Sequence, residues 1–275
     1  MKYVFFTGAT GDLGGECVKL LSESGRWIVF AVGTRQEKLR QLESLPNVIP
    51  IRCDITCQES VEAALKAVRV KTEKLDAIVN FAGLTAFSSA VECPIIKTTE
   101  KILDVNIMGM VRVNRIFFEI LNNAGGRIVN CSSEAGWMTA QPFAAPYFLS
   151  KRAVEAYSDS LRRELMFLGI SVIKIQPGSF KTKITEDIYR NFDETLESTI
   201  YYKDLLARMK PLMVQELKNN NDPVRLARMV LKALESRHPK LRYRIGTGKL
   251  LLLLEFLPER WVDAVYRIIL KMRHG

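Results

Sequence analysis

The chain is poor in the residues that build metal centres and covalent staples. It holds only two histidines, and its five cysteines (Cys17, Cys53, Cys57, Cys93 and Cys131) are scattered. Cys53 and Cys57 have no second ligand pair at metal-binding spacing, so neither a metal nor a disulfide framework is expected. No apolar run approaches the roughly 20 residues that a membrane-spanning helix needs. The five leucines from Leu250 to Leu254 are stopped by Glu255 and soon by Pro258. No internal repeat, low-complexity linker or break in composition marks a second domain. Aromatic residues do not alternate with basic ones as in a nucleic-acid module, so nucleic acid is not an expected partner. Met1 runs straight into the first apolar stretch, and the expectation is therefore no cleavable leader and a reducing, cytoplasmic setting. Asn130-Cys131-Ser132 matches a glycosylation acceptor, but it ends an apolar strand and is read as chance.

What is present is a mixed chain of 275 residues, 48% hydrophobic, enough for one sizeable domain over 1–275. Its net charge of +10 is unevenly placed: residues 201–275 carry sixteen Lys and Arg against seven Asp and Glu, while residues 1–200 are nearly balanced. Such a basic tail suits an acidic ligand or an anionic lipid surface, or is simply a solvated cationic face. Short apolar runs alternate with helical patterns along the chain. Strands are expected at 3–6, 27–32, 47–52, 76–80, 127–131, 171–175 and 241–245. Helices are expected after the first strand and at 36–43, 60–70, 99–121, 147–168 and 223–235. This alternation describes an α/β fold, a Rossmann-type doubly wound parallel sheet of about seven strands with helices on both faces. Ligands bind such sheets outside the carboxyl ends of the strands.

Two motifs fall at those ends. Between the first strand and its helix lie Gly8, Gly11 and Gly14. Glycines are needed where a backbone turns sharply and approaches a pyrophosphate, with a helix N-terminus supplying amide donors. Further on, Tyr147 and Lys151 stand one helical turn apart, which places their side chains side by side. A phenol is a poor acid or base at neutral pH, but a neighbouring cation favours the phenolate and makes it a general acid/base.

Taken in order, Thr7-Gly-Ala-Thr-Gly-Asp-Leu-Gly14, Asp54, Asn80-Phe-Ala-Gly83, Val105-Asn106, Asn130-Cys-Ser-Ser133, Tyr147-x-x-x-Lys151 and Pro177-Gly-Ser-Phe-Lys-Thr182 resemble the single-domain short-chain dehydrogenase/reductase family over nearly the whole chain. The run Val154 to Leu165 is most similar to members acting on retinoids and hydroxysteroids, and the tail from Leu250 to Leu270 resembles the same subgroup. The resemblance implies an oxidoreductase that interconverts an alcohol with a ketone or aldehyde by hydride transfer. Tyr147 would exchange the proton with the substrate oxygen, and Lys151 would support Tyr147 and hold the nicotinamide ribose. Ser133 would stabilise the charge developing on the substrate oxygen, and Asn106 would hold a water that relays protons from Lys151. For the cofactor, Gly8, Thr10, Gly11, Asp12, Leu13 and Gly14 would cradle the phosphates, and Thr34 and Arg35 would meet the adenosine ribose. Asp54 and Ile55 would face the adenine, Asn80, Ala82 and Gly83 the adenosine side, and Pro177, Gly178 and Thr182 the nicotinamide end. The resemblance also implies a homodimer paired through the helices at 99–121 and 147–168.

The chain departs from the family pattern at three places. Asp12 stands where the single-domain branch has glycine, Phe81 replaces an asparagine, and Ser133 precedes Tyr147 by one residue more than expected. The last leaves Ser132 and Ser133 both open as the catalytic serine, with Ser133 favoured. After the second strand the chain reads Ala31-Val-Gly33-Thr34-Arg35, with a guanidinium and no carboxylate, which favours NADP(H) over NAD(H). Residues 183–221 form the expected helical substrate lid. Their apolar members, including Ile184, Ile188, Tyr189, Phe192, Tyr201 and Met213, suit a small hydrophobic carbonyl or alcohol, or simply a packed helix. Residues 249–275 form an amphipathic extension with two open readings, packing beside the substrate pocket or resting peripherally on an anionic membrane. Two other functions stand beside the oxidoreductase. The glycine spacing suits a nucleotide-sugar epimerase, which the short stretch after Lys151 disfavours; an idle dinucleotide sensor or scaffold is disfavoured by Ser133, Tyr147 and Lys151.

Overall fold

The computed structural model describes residues 1–92, 94–122, 125–181, 183–218 and 221–271. Seven strands form one sheet: β1 (Lys2–Thr7), β2 (Trp27–Gly33), β3 (Val48–Arg52), β4 (Ala77–Asn80), β5 (Arg127–Cys131), β6 (Ser171–Pro177) and β7 (Arg242–Ile245). Their order is β3-β2-β1-β4-β5-β6-β7, and every neighbouring pair is parallel. The order reverses between β1 and β4, where Thr7 pairs with Asn80. That crevice is where an open α/β sheet receives its ligand.

The strands are apolar because both of their faces are covered. Val4 and Phe6 point to one layer with Cys17, Val18 and Leu21 of α1 (Asp12–Glu23) and Leu226, Ala227 and Val230 of α9 (Pro223–Glu235). Phe5, between them, points to the other layer. There it meets Val61 and Val68 of α3 (Gln58–Arg69) and Phe117 and Ile120 of α5 (Gly109–Asn122). Phe5 and Phe117 have ring centroids 3.9 Å apart. The short α2 (Gln36–Glu43) buries only Leu39.

The helix expected at 99–121 is built differently. It begins at α4 (Ile95–Leu103), passes through a π turn (Asp104–Met108) and continues as α5. A π turn adds a residue to one helical loop, a local widening common at functional positions, and Asn106 sits inside it. Arg112 pairs with Asp104 at 2.8 Å across this turn. After β5 comes α6 (Ala145–Leu165), with Pro146 in its first turn, where proline removes no helical hydrogen bond.

The 183–221 insertion is two helices, α7 (Lys183–Ser198) and α8 (Lys203–Lys218). Phe192 and Leu206 pack with Phe143 in a third apolar cluster, joined by Phe87, Leu196, Tyr202, Leu205, Met209 and Met213. These residues of α7 and α8 are thus packed against the domain, while Tyr201 points outward. The tail forms α10 (Lys249–Leu254) and α11 (Glu259–Lys271). It packs on the domain: Val262 is buried, Glu255 accepts the Thr139 amide, and Arg208 donates to the Leu270 carbonyl at 3.2 Å. Leu253, Phe256 and Trp261 remain exposed on its outer side. Among the described residues no helix is long and apolar enough to cross a membrane, and no cluster of His, Cys, Asp or Glu could hold a metal.

Candidate active site

The glycine turn lies at the reversal of strand order. Gly8 adopts φ +72°, and a β-carbon there would sit 2.5 Å from the Ala82 amide nitrogen. β1 and β4 can therefore run out side by side only with glycine at this position. A β-carbon on Gly14 would collide with the Gly8 carbonyl, so the third glycine lets α1 pack tightly under the turn. Gly11 is the N-cap of α1 and offers no side chain to the first-turn amides, which leaves a helix N-terminus suited to an anion. Asp12 is exposed in that first turn. An acid there stabilises the helix through its dipole while opposing an incoming phosphate. Leu13 instead turns inward onto the core.

Thr34 and Arg35 are exposed just beyond β2, and the Arg35 guanidinium donates to the Thr10 carbonyl, bridging the strand end to the glycine turn. Thr10 in turn lies against Gly33. Asp54 is exposed after β3, and its carboxylate accepts from the Thr56 amide at 2.9 Å and hydroxyl at 2.7 Å, the geometry of a side-chain-closed turn. Ile55 is buried against Gly109. Gly178 donates its amide to the Ile245 carbonyl at 2.8 Å. Thr182 lies outside the described residues.

Asn80 ends β4 and pairs with Thr7 at the switch point. Its amide faces the interior, donating to Asn114 Oδ1 and Asn130 Oδ1, both at 2.9 Å. Asn130 passes the chain on to Ser158 and Asn114 to Tyr157, so a polar ladder ties β4, β5, α5 and α6 together. Asn130 is fully buried, consistent with reading its glycosylation match as chance. Phe81 has a different solution from the asparagine it replaces: its ring packs on Phe6 at 5.3 Å. The Thr7 hydroxyl accepts from the Phe81 and Ala82 amides at 3.2 and 3.3 Å. The sequence motif includes Thr7 but gives its hydroxyl no role, although a hydroxyl preceding the glycine turn was the available signal.

Around Tyr147 the elements converge. α6 sets Lys151 beneath it, with Nζ 5.7 Å from the phenol ring centroid. Lys151 is 5% exposed, and its one hydrogen bond among the described residues goes to the Cys131 carbonyl at 3.1 Å. An ammonium has three donors, so two remain for a bound group. Burial pushes the Cys131 thiol up, against the opposing pull of Lys151. Gly83 is open toward this spot: a β-carbon there would stand 3.3 Å from Asn106 Oδ1 and 3.6 Å from Lys151 Nζ. Asn106 itself accepts from the Leu84 amide at 2.7 Å and donates to the Leu84 carbonyl and the Ser150 hydroxyl, both at 2.9 Å. Its side chain thereby fastens the loop after β4 to α6.

The two serines are unlike. Ser132 Oγ is buried without a partner among the described residues and lies against Gly136. Ser133 caps the short turn that follows, accepting from the Ala135 amide at 3.2 Å and donating to the Pro177 carbonyl at 3.4 Å. That donation is long, so the Ser133 proton is readily redirected. The longer loop between Ser133 and Tyr147 is pinned at several points. Arg152 donates to the Met138 carbonyl at 2.6 Å, and the Arg244 guanidinium stacks 3.6 Å over Trp137. Phe143 adopts φ +61°. Left-handed backbone at a bulky residue stores about 1–3 kcal/mol of strain, held here by aromatic contacts with Phe87 and Tyr202.

A doubly wound sheet, a glycine turn at its switch point and a tyrosine over a buried lysine after β5 define an oxidoreductase of the Rossmann type. The chain belongs to the short-chain dehydrogenase family, whose profile, described as short chain dehydrogenase, matches residues 2–192. It is 34% identical to human retinol dehydrogenase 16 over 279 residues, which span 96% of this chain and 87% of that protein. Among solved structures, a short-chain dehydrogenase from Streptomyces avermitilis has a TM-score of 0.77 at 22% identity, covering 96% of this chain and 93% of that one. A Burkholderia cenocepacia short-chain dehydrogenase in complex with NADP has a TM-score of 0.73 at 22% identity, covering 96% and 98%. The structural likenesses establish the fold; the family assignment rests on the sequence matches.

Proposed function

We propose that the protein interconverts a small hydrophobic alcohol with its ketone or aldehyde, using NADP(H) in preference to NAD(H). The observation that carries this reading is the buried Lys151 ammonium beneath Tyr147, with two donors left for ribose hydroxyls. The bound nicotinamide would supply or accept the hydride. Gly8, Thr10, Gly11 and the N-terminus of α1 would hold the phosphates, and Lys151 the nicotinamide ribose. Tyr147 would give its proton to the substrate oxygen in reduction and take it in oxidation, the Lys151 charge stabilising the phenolate left behind. The Ser133 hydroxyl would leave the Pro177 carbonyl to meet the same oxygen and stabilise its developing charge. Asn106 would position the Leu84 loop and α6 about Lys151. Both of its amide donors are engaged, which leaves the second lone pair of Oδ1 to hold a relayed water.

NADP(H) preference is supported by exposed Arg35 and the lack of an acid after β2; a planar guanidinium matches a 2′-phosphate. A hydrophobic substrate is supported by the aromatic cluster that the lid forms with Phe87 and Phe143. Screening ketones, aldehydes and secondary alcohols against NADPH and NADH, following absorbance of the reduced nicotinamide, tests the reading. Turnover of no carbonyl compound with either cofactor, despite tight cofactor binding, would leave the idle sensor in its place.

Two assembly properties belong to the same proposal. Exposed Met108 and Leu149, on the π turn and α6, support pairing of two copies through these helices. Exposed Leu253, Phe256 and Trp261 near Arg260 and Arg267 support peripheral contact of the tail's outer side with anionic lipid. Sedimentation of the protein alone and with phosphatidylserine vesicles tests both.

A further inference from the structure

The turn between α7 and α8 is fastened to the domain by a carboxylate. Glu92, in the segment between β4 and α4, reaches the turn that joins α7 to α8. Its Oε2 accepts from the Thr199 hydroxyl at 2.7 Å, and its Oε1 accepts from the Ile200 and Tyr201 amides at 2.7 and 3.0 Å. Few side chains gather three donors from one short turn; Thr195, on α7, adds a single bond to the Phe87 carbonyl at 3.2 Å. The latch is itself braced. The buried Ser89 hydroxyl accepts from the Val91 and Glu92 amides at 3.3 and 3.2 Å. The neighbouring Ser88 amide bonds the carbonyl of left-handed Phe143 at 2.7 Å. A continuous set of contacts therefore leads from the α7–α8 turn, through Glu92 and Ser88, to a residue four positions before Tyr147. Phe87 and Phe143, whose rings receive Phe192 and Tyr202 of the lid, lie on the same two loops.

We propose that Glu92 is a positioning residue for substrate: it latches the lid to the loops bordering Tyr147 and Lys151, and so sets the space left for an apolar carbonyl compound. The kinetic half of this inference rests on the proposed oxidoreductase activity, and the latch itself does not. Without the carboxylate, the lid turn loses all three acceptor contacts at once, while the glycine turn and Lys151 are untouched. Substrate capture should therefore weaken, and cofactor binding should not.

The experiment compares wild type with E92A, E92D and, as a milder break, T199V. Amide hydrogen exchange is followed over 195–205, together with NADPH affinity and kinetics on a bulky and a small ketone. In E92A the Ile200 and Tyr201 amides should exchange faster. KM for the bulky ketone should rise about tenfold, more than for the small one, as expected when a lid no longer holds its substrate in place. NADPH affinity should stay constant, and E92D and T199V should fall between. Unchanged exchange at 199–202 in E92A and T199V would overturn the latch. Faster exchange with an unmoved KM would overturn its role in substrate positioning. Absence of turnover in the wild type would instead refute the proposed activity, and the exchange data would still decide the latch.

Discussion

Replacing Lys151 by methionine keeps most of the side-chain stem and removes the ammonium, and the effect should differ in sign between empty and loaded protein. In the empty protein the ammonium is buried with a single acceptor among the described residues, the Cys131 carbonyl at 3.1 Å. A buried cation so thinly compensated adds little to stability, and an apolar replacement of similar shape is often neutral or stabilising, here by about 1 kcal/mol. In the loaded protein the two other donors would meet ribose hydroxyls. Hydrogen bonds to charged groups contribute about 1.5–3 kcal/mol each, so losing two weakens NADPH by about 3–6 kcal/mol, roughly 10²- to 10⁴-fold in Kd. Urea unfolding of the apo variant measures the first effect, and nucleotide fluorescence titration the second. Unaltered NADPH affinity, or an apo variant destabilised by several kcal/mol, would show that Lys151 is a structural residue and not a cofactor ligand.

Three further outcomes follow from the same geometry. S133A should lower kcat by about 10²- to 10³-fold, as loss of a donor to a developing oxyanion does, whereas S132A removes an unpartnered buried hydroxyl and should leave kcat unchanged; the reverse pattern in steady-state kinetics would reassign the catalytic serine. R35A should weaken NADPH by about tenfold, the scale of one lost charged hydrogen bond, and NADH far less; equal loss for both in titrations would mean that Arg35 only braces the Thr10 turn. The Thr199 hydroxyl, ahead of the Ile200 and Tyr201 amides, holds the Glu92 carboxyl below its ordinary value of 4.5. A lowered carboxylate contributes its stability above the unfolded value and loses it as pH falls through the folded one. Limited proteolysis should therefore cut the α7–α8 turn more readily at about pH 3.5 than at pH 7, and equal rates at both would contradict the attachment.

Much of the fold was legible because each strand is a short apolar run and each long helix is periodic. The helices at 36–43 and 223–235 and the strand at 127–131 fell within the expected bounds. The π turn at Asn106 was not legible, since its residues Asp104-Val-Asn-Ile-Met continue the helical pattern and only hydrogen-bond spacing distinguishes it. Phe143 was hidden for a similar reason: a bulky aromatic carries no left-handed signal, and tertiary contacts impose the conformation. At the site, Tyr147, Lys151 and the glycine turn announce themselves by spacing, and the structure brings Asn106, Gly83 and Lys151 within contact range. The Asn80 motif says nothing about which way its amide points, and here two other asparagines draw it inward. Glu92 has no motif at all. Its three partners lie more than a hundred residues away in the chain and meet it only after folding.

The most direct test is Tyr147→Phe, which removes one oxygen from a half-exposed ring and leaves Lys151, the glycine turn and the lid in place. NADPH should bind with nearly native affinity while turnover of any ketone accepted by the wild type falls to background. Retained turnover in that variant would mean that the proton travels by another route, and the phenol-centred account would be wrong.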